Sequence, residues 1–323
     1  PADSKAFKLS LKGLKGGHSG MDINLGRGNS NKLLFRFLKA NAKALDLRMA
    51  AVNGGSLRNA IPRESFALVT VPSGNAGQLQ AKVAEASAIY KAELIEKDPD
   101  VKLLVEEAEL PARVMDADLQ ERLIDAIMGC PNGTVRMIDS MPGTVETSNN
   151  LAIVKTTEDK IVINTLMRSS VETAKDYLAD SLQAVFELAK ADRIIFDGAY
   201  PGWKPNPHSA ILKLMQEIYQ KMYHKAPEIM AVHAGLECGI LGAKYPNWDM
   251  ISFGPTICHP HSPDEKVNIA SVGKFWDYLK EVLKEEFNIC SDEELLEAVQ
   301  SMPELDLGIF VTPLKGDNNA KSA

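Results

Sequence analysis

No run of apolar residues in this chain approaches the roughly 18–20 needed to cross a bilayer as a helix, and no stretch reads as a secretory signal. Basic runs interleaved with aromatics are also missing. Lys and Arg are scattered, aromatic residues make up only 6% of the chain, and the formal net charge is −7. Neither a nucleic-acid partner nor a membrane is expected from such a charge pattern. Cysteine is scarce, and the four present (Cys130, Cys238, Cys258 and Cys290) lie far apart with no CxxC spacing. Free thiols in a reducing compartment follow, with the cytoplasm as the default. HExxH and His-x-Asp spacings are absent as well, so no complete metal-binding motif can be read from spacing alone.

What is there suits a folded enzyme-sized chain. The 323 residues are 45% hydrophobic and 24% charged, enough for two domains or one large one with an ample core. The sequence begins at Pro1, and residues 6–13, AFKLSLKG, already alternate like a strand. A strand so close to the first residue leads to the expectation that the beginning of the protein is missing. A glycine-dense turn follows, then a helix carrying Leu33, Leu34, Phe37 and Leu38 behind Asn and Ser caps. Two strands over 47–61 and 64–71 lead into a long helix with Leu79, Val83, Ala86, Tyr90 and Leu94 in one stripe. A similar order then recurs. A helix capped by Asp116 and stopped at Gly129 precedes three strands (133–140, 147–156 and 160–170) and a closing helix over 171–191.

Residues 1–197 are thus expected to form two similar α+β units sharing an antiparallel sheet with helices on one face. The Pro/Gly/Trp-rich DGAYPGWKPNP marks a domain boundary. Beyond it a helix at 209–223, strands at 228–232 and 248–254, a short helix at 236–241 and a helix at 270–287 predict the C-terminal part of an α/β domain, residues 198–289. Ser291 and Glu294 form a capping box opening a last helix, and the polar end of residues 290–323 is expected to be disordered.

Several residues could carry chemistry. In GPTICHPHSPDEKV, prolines on both sides of His261 restrict its backbone, which suits a metal ligand; a surface loop with bystander histidines reads equally from the spacing. In GLKGGHSG, glycines let the backbone approach a ligand while His18 points outward, fit to donate to a developing oxyanion; the alternative is a tight turn. Arg168 ends an apolar strand and can offer a planar fork to a carboxylate, or be an ordinary sheet-edge residue. Asn59, beside a Pro turn, offers both a donor and an acceptor. HAGLECG, 233–239, reads as an anion-binding backbone or a plain helix start.

Taken together, LKGLKGGHSG, GGSLRNAIPRE, GAYPGWKP, HAGLECGIL and GPTICHPHSPDEKV closely resemble, in order and spacing, the aminoacyl-histidine dipeptidases. These are Xaa-His peptidases related to carnosinase within a di-zinc metallopeptidase family, and the resemblance runs from about residue 6 to 287. It implies a zinc-binding α/β catalytic domain interrupted by an inserted lid, the lid being 1–197 and the returning catalytic part 198–289. It implies that His261 is the single zinc ligand from the C-terminal end. The His-x-Asp, bridging Asp, Glu-Glu and further Asp motifs that complete a two-zinc site are not in this sequence, nor is the general-base glutamate. His18 resembles the lid histidine that stabilises the oxyanion, in some relatives delivered by a neighbouring subunit. Asn59 and Arg168 resemble the residues that grip the substrate's terminal carboxylate, and Gly235 the glycine whose backbone contacts the same end. His259 is left out of the ligand set. The resulting expectation is a partial chain of a dipeptidase acting on β-alanyl-histidine-type substrates, dimeric through the lid and inactive by itself. The alternatives are a non-catalytic lid or dimerisation module, a tripeptidase, or an N-acyl amidohydrolase.

Overall fold

A computed structural model describes residues 3–199, 201–231, 237–258 and 265–302. The chain divides into two compact units, one running to Gly202 and the other starting at Trp203.

The first unit is built on one antiparallel sheet. Its elements are β1 (Ser4–Lys12), β2 (Gly17–His18), α1 (Ser30–Asn41), β3 (Arg48–Gly54), β4 (Ala60–Ile61), β5 (Ser65–Pro72), α2 (Ala76–Glu93) and β6 (Lys102–Ala108). A second run follows: α3 (Ala117–Gly129), β7 (Gly133–Met137), β8 (Val145–Thr156), β9 (Ile161–Ser169) and α4 (Glu172–Leu188). The strands line up as β6-β1-β5-β3-β8-β7, with β9 on the other side of β8. The two halves meet where Asn53 and Gly54 of β3 pair with Lys155 and Val154 of β8.

Alternation explains which face is covered. Phe7, Leu9 and Leu11 of β1 and Ala67, Val69 and Val71 of β5 point the same way and are buried. They share one core with Leu34 and Phe37 of α1, Leu79 and Val83 of α2, Leu123 and Ile127 of α3, and Leu178 and Leu182 of α4. Four helices therefore cover one face, as the apolar stripes of the sequence require. Asn29 caps α1 by accepting from the amides of Asn31 and Lys32, and Asp116 caps α3 in the same manner. Lys32 ties the halves together by donating to the carbonyls of Ile127, Met128 and Cys130 at the C-terminal end of α3.

The second unit contains α5 (Ala210–Tyr223), α6 (Glu237–Lys244), β10 (Ile257–Cys258), β11 (Lys266–Val267), α7 (Ile269–Phe287) and α8 (Asp292–Ser301). Its core is small, with Met215 and Ile218 of α5 against Tyr278 and Val282 of α7. The capping box of Ser291 and Glu294 forms as expected. The two longer strands expected here do not. Residues 228–231 and 248–254 carry no strand assignment, and the described ladder is only two residues long, Ile257↔Val267 and Cys258↔Lys266. A strand of an α/β sheet exists only when neighbours take up its backbone N–H and C=O groups, and among the described residues of this unit none stand beside those stretches. Strands β2 and β6 were also not foreseen, the first hidden in a glycine turn and the second in the acidic KLLVEEA.

Candidate substrate-binding site on the first unit

Above the sheet face opposite the helices, a short hairpin-like pair carries two of the expected site residues. Gly17 and His18 pair antiparallel with Ile61 and Ala60, and the Ser19 amide donates to the Asn59 carbonyl at 2.8 Å. His18 and Asn59 thus sit on adjoining extended segments, although 41 residues separate them in the chain.

The turn holding His18 is specified closely. Gly17 has φ +142°, and a Cβ there would come within 2.5 Å of Arg27 Nη1 and 2.6 Å of Asp22 Oδ2. The His18 amide donates to Asp22 Oδ2 at 2.8 Å, and Asp22 is paired with Arg27 at 3.5 Å. Arg27 also donates to the Gly16 carbonyl at 2.6 Å. Both ends of this loop are clasped by Asp98, which is fully buried. Its Oδ1 accepts from the Lys15 amide and its Oδ2 from the Gly28 amide, each at 2.7 Å. A carboxylate with backbone donors on both oxygens is the strong form of such a clasp.

The imidazole is oriented as well as placed. Its Nδ1 accepts from the amides of Gly20 and Met21, both at 3.2 Å. An Nδ1 that accepts carries no proton, so in the neutral ring the hydrogen is on Nε2, the donor tautomer.

Arg168 arrives from the other half of the sheet. It lies near the end of β9 opposite Ser148 of β8, and its Nε donates to Ser19 Oγ at 3.4 Å. Gly20 shows how near the two groups are. A Cβ at that position would be 3.1 Å from His18 Cε1 and 3.4 Å from Arg168 Cζ, so the ring and the guanidinium both reach van der Waals range of one point. Asn59 is exposed, Ser19 is buried at 1% exposure, and Arg168 is half-buried.

The segment following α4 is fastened to the start of that helix and to the residue before Asn59. The Gly202 amide donates to Glu172 Oε1 at 2.6 Å, Lys175 bonds the other oxygen, and Arg58 pairs with Asp197 at 2.9 Å. Burial alone would raise the Glu172 carboxyl, but the bonds from Lys175 and Gly202 outweigh it and hold it below the usual range.

The structure therefore brings His18 and Arg168 together at Gly20 and lays the Asn59 backbone alongside, bonded to Ser19. Gly235 and His261 lie outside the described residues. Among the described residues no three His, Cys, Asp or Glu side chains converge as a metal site, so these residues by themselves do not fit a zinc centre. Ser19, Asp22 and Asp98 were missed in the sequence. Ser19 and Asp22 stand within four positions of His18, where polar residues in a glycine turn are a usable signal. Asp98, 70 residues or more from the amides it binds, gives none.

Residues 9–98, within the first half of this unit, match the family model of the peptidase dimerisation domain. Over 285 residues the chain is 45% identical to the cytosol non-specific dipeptidase of Escherichia coli (strain K12), a match covering 88% of this chain and 59% of that protein. It also superposes on the crystal structure of the aminoacylhistidine dipeptidase from Vibrio alginolyticus with a TM-score of 0.81 at 45% identity, over 95% of this chain and 59% of that one. The chain is similar to both of these dipeptidases, in line with its motifs, and spans 59% of the length of each.

Proposed function

We propose that this chain supplies the substrate-holding part of a metallodipeptidase that hydrolyses Xaa-His dipeptides, and that it does so as one subunit of a homodimer in the cytoplasm. The observation that supports this most directly is the meeting of His18 and Arg168 at Gly20, with Asn59 bonded to the residue between them. An arginine fork and an asparagine amide suit a terminal carboxylate, and a histidine with its proton on Nε2 suits an oxygen that gains negative charge as the peptide carbonyl is attacked. The three side chains come from a single chain, so the histidine needs no neighbouring subunit to reach the arginine.

Metal ions, zinc in this reading, would activate the attacking water and polarise the carbonyl. The described residues cannot hold them. In this proposal His261 contributes one ligand and the rest come from the portion of the relatives' length that this chain does not span. Gly235 would add a backbone contact to the carboxylate end. The Escherichia coli relative is a cytosol dipeptidase, and no helix among the described residues of this chain is long and apolar enough to cross a membrane.

A second reading has its own support, because that same relative is described as non-specific. Substrate comparison separates the two. The complete protein containing this chain is expected to cleave β-alanyl-histidine and other Xaa-His dipeptides faster than dipeptides ending in other residues. Equal rates across dipeptides would favour the broad enzyme. Cleavage of tripeptides or N-acyl amino acids in preference to dipeptides would overturn both readings.

A further inference from the structure

Asn150 lies in the middle of β8 and is 1% exposed. Its position is unfavourable for an amide unless both ends are used, yet Oδ1 is buried without a hydrogen-bond partner. Its Nδ2 is fully committed. It donates to the carbonyl of Arg58 at 3.1 Å and to the carbonyl of Ala60 at 2.8 Å. These are the residues on either side of Asn59, whose own carbonyl accepts from Ser19. Three successive carbonyls are therefore pinned, the outer two down to β8 and the middle one across to the strand of His18.

The same strand also sets Arg168. Ser148 pairs with Arg168 and Asn150 with Leu166, so Asn150 and Arg168 stand on one face of the sheet, two ladder positions apart. An apolar side chain at 150 would fill the space without leaving an orphaned acceptor, but would let the 58–60 segment lift or slide.

We infer that Asn150 is a positioning residue, which fixes the spacing between the Asn59 amide and the Arg168 guanidinium and thereby the fit of the substrate carboxylate between them. This rests on the proposed role of Asn59 and Arg168 as the carboxylate grip. The side chain itself touches no substrate. It acts through the backbone of 58–60, and through the pairing of Ala60 with His18 it has a smaller effect on the catalytic histidine.

The test is a double-mutant cycle in the complete protein, read as KM and kcat separately on a dipeptide with a free carboxylate. Asn150→Asp keeps the shape and removes both donors; Asn150→Ala is the companion variant, which introduces no buried charge. Each is expected to raise KM about tenfold while kcat falls less than about threefold. Asn59→Ala should raise KM by itself, and adding Asn150→Asp to it should change KM by no more than about twofold, since the residue being positioned is already gone. An additive loss in the double variant overturns the inference, because a merely structural residue would act regardless of Asn59. So does a KM within about twofold of the parent in both single Asn150 variants, or failure of both to fold, which would make Asn150 a core residue only. If Asn59→Ala raises KM while the Asn150 variants do not, the carboxylate grip stands and only the positioning role is lost. If Asn59→Ala leaves KM unchanged, both are overturned.

Discussion

At the scale of residues, the site is defined by what holds each side chain rather than by the side chains themselves. His18 is one of several residues in a glycine turn until two backbone amides settle which of its nitrogens accepts. Arg168 is one strand-end arginine among many until Ser19 and Gly20 bring it to that ring. A charge-assisted bond to a carboxylate contributes about 1.5–3 kcal/mol, which at 1.4 kcal/mol per decade is roughly 10- to 150-fold. In the complete protein, Arg168→Ala is accordingly expected to raise KM for dipeptides by about that factor with little change in thermal stability. Arg168→Lys should recover only part of it, because an ammonium lacks the two-pronged geometry. Steady-state kinetics beside a melting curve checks this, and an unchanged KM removes Arg168 from the site.

At the scale of elements, the joint between the halves of the first unit depends on helix ends. Lys32 of α1 reaches three carbonyls at the end of α3, the last being that of Cys130. The Cys130 thiol is 1% exposed, and burial pushes its pKa up to about 11, against a smaller opposite pull from Lys32. Cys258 and Cys290 are exposed. Thiol labelling of the native protein at pH 8 is therefore expected to modify Cys258 and Cys290 rapidly and leave Cys130 untouched until the first unit unfolds. Rapid native labelling of Cys130 would show that α1 and α3 separate far more readily than their packing implies. The pattern of apolar residues had already placed α1, α2, α3 and α4, since amphipathic stripes and Asn29 and Asp116 as caps are local signals. Strand β2 was not legible, and β4 was not separated from β3 within the strand expected over 47–61, because two-residue strands have no periodicity and exist only by pairing with each other.

At the scale of the whole molecule, the two units differ in how much core they own. The first buries residues from β1, β3, β5, β6 and β8 and all four of its helices in one cluster, with Ile161, Ile163 and Met167 of β9 packed against it. The second has four buried hydrophobic residues in its main described cluster, while Ile269 is 87% and Met230 70% exposed. Stability follows apolar area removed from water, so the first unit has the means to fold by itself. A fragment ending at Gly202 is expected to melt in a single cooperative transition and to retain its helix content. A non-cooperative melt of that fragment would mean its core needs the rest of the chain. The isolated second unit should bind hydrophobic dyes and melt broadly.

The amino-acid sequence alone determined where the helices of the first unit lie, the apolar stripes of α1 and α2 and most of the doubled α+β pattern, because these depend on periodicity and caps within about twenty neighbouring residues. The motifs also named His18, Asn59 and Arg168 separately. Only the tertiary structure decided that His18 and Arg168 converge with the Asn59 backbone beside them, that Asp98 clasps the histidine loop from 70 residues away or more, and that the expected strands of the second unit do not form. Each of those outcomes depends on which distant backbone groups find partners. Hydrogen bonding across a sheet is not encoded in any local pattern; it appears when the strands are side by side.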